Sequence, residues 1–154
     1  MYKKASSSKK NFLVLLTLGM LFSIVSTGCQ PSIPPAMLNK SVPELIQDLK
    51  SEDGIIRSQA ALALGAKKEG AKEAIPALIA ALADQKTHVR YRVIQGLAQI
   101  GEPAVPALIE ATSHHERGVR FYSAHTLKKI PSQRAQDAYK DYMEREGKKV
   151  LKNF

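Results

Sequence analysis

The chain has 154 residues, with 23 Lys and Arg against 14 Asp and Glu, one Cys and no Trp. That length fits one domain, and a 44% share of hydrophobic residues excludes a disordered polymer. A lone Cys excludes both an intrachain disulfide framework and a Cys-built zinc site. The formal charge of +9 points to an anionic partner only if the charges sit on the folded part.

Residues 1–28 hold no acid and four lysines, Lys3, Lys4, Lys9 and Lys10. An apolar run of 14 residues follows over 12–25, short of the about 20 that a membrane-spanning helix needs. It breaks into Ser26-Thr27-Gly28 and reaches Cys29. A basic start, a short apolar run and a small-residue exit predict a secretory signal over 1–28. With Thr27-Gly28-Cys29 at its exit, this region resembles a bacterial lipoprotein precursor. The resemblance implies cleavage before Cys29 and lipidation of its thiol. Ser26 departs from the family, which usually has an aliphatic residue there. Gln30 stands where the family places Asp for inner-membrane retention, so the resemblance implies a cell-envelope protein, on the periplasmic leaflet of the outer membrane in a Gram-negative host. Residues 29–40 then read as a lipidated Cys and a Pro-rich, extended tether.

The body repeats. Val42-Pro43-Glu44-Leu45-Ile46, Ile75-Pro76-Ala77-Leu78-Ile79 and Val105-Pro106-Ala107-Leu108-Ile109 align, with periods of 33 and 30 residues. An Arg lies 14 residues after each Pro, at Arg57, Arg90 and Arg120, and a Leu seven later, at Leu64, Leu97 and Leu127. The surplus residues of the first period fall in the 66–74 stretch, read as a loop. Apolar residues at helical spacing predict two helices per unit. Each Pro suits a first helical turn, Ser41 and Glu44 have the spacing of a capping box, and Gly101 and Pro131 mark helix ends. One helix pair cannot cover its own apolar face, so three must stack, over residues 41–131. Residues 132–154 read as a capping helix begun by Ser132 and running to about Glu146, with Ala135, Ala138, Tyr139 and Tyr142 inward, and then a basic tail. The predicted fold is all-α, a short right-handed α-solenoid of three helical hairpins with a C-terminal capping helix.

Residues 89–101 followed by 104–111 resemble HEAT repeats of the short bacterial, phycobilisome-lyase-like class. Lys67-Lys68-Glu69 departs from that pattern in the first unit, and Lys128 and Pro131 depart in the third. The resemblance implies that Arg57, Arg90 and Arg120 hold neighbouring units in register, through carbonyls or acids. A cation near a helix N-terminus opposes the dipole, so each needs a specific partner. Asp53 and Glu116 lie four residues before Arg57 and Arg120 and offer local pairs; Lys86 fills that place before Arg90.

No residue pattern names a catalytic centre. There is no H-E-x-x-H, P-loop or other Gly-rich phosphate loop. His114-His115-Glu116 is a single His-Glu pair in an expected turn, too little for a two-metal cage, and no metal or cofactor is expected. The repeat class suggests one alternative, an enzyme or accessory subunit resembling bilin lyases. The favoured reading is a non-catalytic, membrane-tethered scaffold that binds an envelope protein, with no small-molecule substrate identified. In such arrays the second helices line the binding surface. Its expected exposed positions are Ser58, Gln59, Leu62 and Ala66 in the first unit and Tyr91, Arg92, Gln95 and Gln99 in the second. Phe121, Tyr122, His125 and Lys129 complete it in the third. Tyr and Arg suit binding hot spots; the competing reading packs Phe121 and Tyr122 under the C-terminal helix.

The charge is uneven. Residues 29–85 hold 6 basic and 7 acidic residues, whereas 86–154 hold 13 and 7. Basicity belongs to the C-terminal half, which suits an acidic protein surface or anionic headgroups; nucleic acid is not expected as a partner of an exported chain.

Overall fold

The computed structural model describes residues 33–152. The expectations for the signal, Cys29 and the start of the tether lie outside them. Prolines begin four of the helices. Helix α1 is Pro35–Leu38 and α2 is Val42–Asp48, each with Pro in its first turn, where a missing N–H costs nothing. Glu44 accepts from the Ser41 backbone N–H (2.7 Å) and hydroxyl (2.6 Å), which closes the start of α2. Helix α3 is Gly54–Ala66, with Asp53 accepting from Ile55 N–H at 2.8 Å. Helix α4 is Ile75–Ala80, tightened into a 3-10 turn at Ala81–Ala83, and α5 is Thr87–Ile100. Gly101 ends α5 at φ 76°, a left-handed conformation that glycine adopts without strain. Helix α6 is Val105–Ala111, α7 is Arg117–Lys129 and α8 is Gln133–Lys152. Ile130 is extended before Pro131, which stops α7. The described residues contain no strand.

Three hairpins result: α2 with α3, α4 with α5, and α6 with α7. The six repeated leucines, Leu45, Leu64, Leu78, Leu97, Leu108 and Leu127, are all fully buried. Each contributes about 2 kcal/mol through burial. Helices α3 and α5 approach most closely, because glycines face each other: a Cβ on Gly65 would lie 2.6 Å from Gly96 Cα. Helix α8 packs on α6 and α7 and closes that end. Ala135 and Tyr142 bury there, while Ala138 and Tyr139 are half-buried against the core.

Three local expectations are corrected. The tether is not extended to residue 40, since α1 forms one turn and buries Met37 in the core. Pro35 starts that turn rather than blocking it. The 66–74 stretch is not a loop but ends α3 and continues as a 3-10 segment over Lys68–Ala74, entered through Lys68 at φ 50°. The capping helix passes Glu146 and reaches Lys152. Surface pairs Glu144–Lys148 and Glu146–Lys149 span Gly147, which alone does not break a helix.

Candidate functional site

The repeated arginines form the frame of the array. Each guanidinium folds back and donates through Nη1 to the carbonyls six and five residues earlier. Arg57 reaches Ser51 (2.7 Å) and Glu52 (2.9 Å), Arg90 reaches Asp84 (2.6 Å) and Gln85 (3.0 Å), and Arg120 reaches His114 (2.9 Å) and His115 (2.8 Å). These bonds clamp the turn between the two helices of each hairpin and offset the unfavourable dipole.

The second edge of each guanidinium differs. Arg57 donates from Nε (2.6 Å) and Nη2 (3.0 Å) to both carboxylate oxygens of Asp84, a bidentate link between the first and second units. Burial raises the Asp84 pKa, but the Arg57 bonds and the Lys86 N–H outweigh it and hold the carboxyl below its usual range. Arg90 donates from Nη2 to Thr87 Oγ1 (2.9 Å) and lies 5.2 Å from the centroid of the Tyr122 ring. Its Nε is buried without a partner, as is that of Arg120. The local Asp53–Arg57 and Glu116–Arg120 pairs do not form. Both acids occupy the N-cap position in extended backbone. Asp53 there turns to Ile55 N–H, while Glu116 lies 3.6 Å from His115 Nε2.

Stacking α5 beside α7 opens a groove of about 200 Å³. Thr87, Arg90, Tyr91 and Ile94 line one side, and Phe121, Tyr122 and His125 the other. Tyr91 is 52% and Phe121 55% exposed, high for rings of that size. Phe121 meets Tyr122 edge-on with centroids 5.4 Å apart and stacks on His125 at 6.3 Å. Burial first, then Lys129 and Lys128, pull the His125 pKa down, so the ring is neutral at neutral pH and extends the aromatic surface.

The groove therefore joins Tyr91, Phe121, Tyr122 and His125 of the expected surface, and adds Thr87, Arg90 and Ile94. Arg92 lies over the Tyr91 ring at 5.8 Å and donates to Gln95 Oε1 at 2.8 Å, which braces the rim. Lys129 is exposed but does not line the groove. Phe121 does not pack under the C-terminal helix; it faces the groove. Leu62 is not on the surface, being only 8% exposed. Helix α3 is flanked by α1, α2 and α5, so its apolar positions find cover that periodicity alone does not reveal. Arg90 and Ile94 went unnoticed because each also reads as a frame or core position.

The donor atoms of His114, His115 and Glu116 lie within 4.8 Å of one another. His114 Nδ1 already accepts from the Glu116 N–H at 3.2 Å, which leaves Nε2 as its outward nitrogen. These are three successive residues of one turn, an open arrangement for an ion.

The HEAT repeats, as a family, match this chain over residues 42–107 and again over 75–153. The chain belongs to the HEAT-repeat family. No curated protein matches it. In this HEAT-repeat protein the Arg clamps and buried leucines recur unit by unit, whereas the aromatic groove arises only between the second and third units. HEAT repeats suggest a protein-interaction scaffold.

Proposed function

We propose that the protein is a lipid-anchored, non-catalytic scaffold of the bacterial envelope, which holds a protein partner in the groove between α5 and α7. The exposed ring pair Tyr91 and Phe121 carries this reading. Large aromatic rings left open to solvent beside Arg90 and Arg92 have the composition of an interface core with a polar rim. The tether rests on Cys29 and the signal before it, and Gln30 favours the outer membrane in a Gram-negative host.

A photoreactive amino acid placed at position 91 or 121 in living cells should give a discrete protein adduct, and one at Glu110, exposed on α6, should not. Equal adducts at all three positions would sink the groove assignment. Labelling with a palmitate analogue tests the anchor separately. Incorporation into the wild type and its loss in Cys29→Ala are expected, and an unlabelled wild type would remove the tether.

A further inference from the structure

The Arg57–Asp84 link shows what the second edge of a repeated arginine can take, namely a carboxylate held through Nε and Nη2, whereas Arg90 takes the Thr87 hydroxyl. Arg120 makes the same carbonyl clamp as Arg57 but meets no such acid among the described residues. The acid for Arg57 comes from the turn of the following unit. After α7 the described chain continues as α8, which occupies that end. It brings two more cations, Arg145 and Lys149, and one acid, Glu146.

A cavity of about 380 Å³ opens at this end, lined by Thr112, His114, Arg120, Arg145, Glu146 and Lys149, among others. Arg120, Arg145 and Lys149 outnumber Glu146 by two charges. Glu146 is tied to Lys149 at 2.5 Å. That hydrogen bond holds its carboxyl below the usual range against a burial penalty, with Lys149, Arg120 and Arg117 adding through space. Glu146 does not reach the Arg120 Nε, which stays buried without a partner. Arg145 is aimed by a hydrogen bond from Nη2 to Thr112 Oγ1 at 3.0 Å, and the cavity shares no lining residue with the aromatic groove.

Two planar arginine forks and a lysine around a space with a twofold positive excess match a phosphate group. Such a group carries about −1.5 to −2 at neutral pH and offers several acceptor oxygens. We propose that the end of the array between the α6–α7 turn and α8 is a phosphate-binding subsite. Arg120 and Arg145 grip the oxygens, Lys149 supplies a point charge, and Glu146 is the resident acid that the phosphate competes with. The phosphate is either free or a terminal phosphomonoester on a lipid headgroup. The cavity is larger than the group itself and leaves room for an ester.

The full chain is titrated at constant ionic strength with inorganic phosphate and, separately, with glycerophosphate as the soluble headgroup. Arginine Nε–H resonances are followed in heteronuclear spectra. A saturable shift with either probe is expected. Arg145→Gln and Lys149→Gln should each weaken binding about tenfold, the size of one lost charge-assisted hydrogen bond. Glu146→Gln should tighten it severalfold by freeing Lys149. Tighter binding of glycerophosphate assigns the site to a headgroup, and equal or weaker binding assigns it to free phosphate. Shifts that never saturate with either probe would overturn the proposal. So would unchanged affinity in both cation variants, or weaker binding in Glu146→Gln.

Discussion

Gly65 on α3 and Gly96 on α5 face each other so closely that a Cβ on the first would lie 2.6 Å from the Cα of the second. This contact sets the spacing between the first two units. A Cβ on Gly96 would press on the backbone of Ala61, and backbone cannot swing aside as a side-chain end can. Gly96→Ala should therefore destabilise the fold. Overpacking costs about 3 kcal/mol and better helix propensity returns about 1 kcal/mol. A net loss of about 2 kcal/mol corresponds to a fall in Tm of about 8 °C. Gly70→Ala, where a Cβ meets nothing within 4 Å, is the control and should leave Tm nearly unchanged. Equal Tm values for the two variants would refute the close-approach argument.

Asp84→Asn keeps the shape of the link to Arg57 and removes its charge. Both side chains are largely buried, at 15% and 9% exposure, so the loss should be about 2 kcal/mol in denaturant unfolding. Asp84 has a folded pKa below its ordinary 3.8. Its contribution is complete above that value and disappears as pH falls through the lowered one. Wild-type stability should thus decline on acidification below about pH 4, and Asp84→Asn should flatten that decline. An identical acid limb in both proteins would show that the pair carries no charge-dependent stability.

Tyr91→Ala and Phe121→Ala remove exposed rings, so each should change stability by less than about 0.5 kcal/mol. Partner affinity should fall by about 2 kcal/mol, or roughly 30-fold, if these rings are interface anchors. Tyr122→Ala differs, because Tyr122 packs on the core and carries the Arg90 guanidinium on its ring. It should lower both affinity and Tm. Calorimetry and a binding isotherm on the same three variants separate the two roles.

Gly147 lies exposed in α8 with open space around its Cα. Gly147→Ala should strengthen that helix by up to about 1 kcal/mol. The expected signature is slower amide exchange from residue 144 onward, with no change around Leu64. Uniform slowing across the whole chain would mean that α8 opens only with the global fold.

Much of the architecture was legible in the residues. The three Pro-x-Leu-Ile motifs, each with its Arg and Leu, specify helix pairs, their order and their buried leucines, because helical periodicity and proline chemistry act within a few residues of chain. The arginine clamp on the preceding turn is local for the same reason. What joins the units was not legible. Asp84 is 27 residues from Arg57, and Thr112 is 33 from Arg145. Tyr91 and Phe121 share a groove only because α5 lies beside α7, and Leu62 is covered only because α3 has neighbours on several sides. Periodicity says which face of a helix turns inward. How successive hairpins stack decides which side chains then meet; between the first two, backbone approach at Gly65 and Gly96 sets the spacing. The sequence alone therefore determined a HEAT-like stack with arginines in register, while tertiary structure decided the one acid link, the aromatic groove and the cationic cavity at its end.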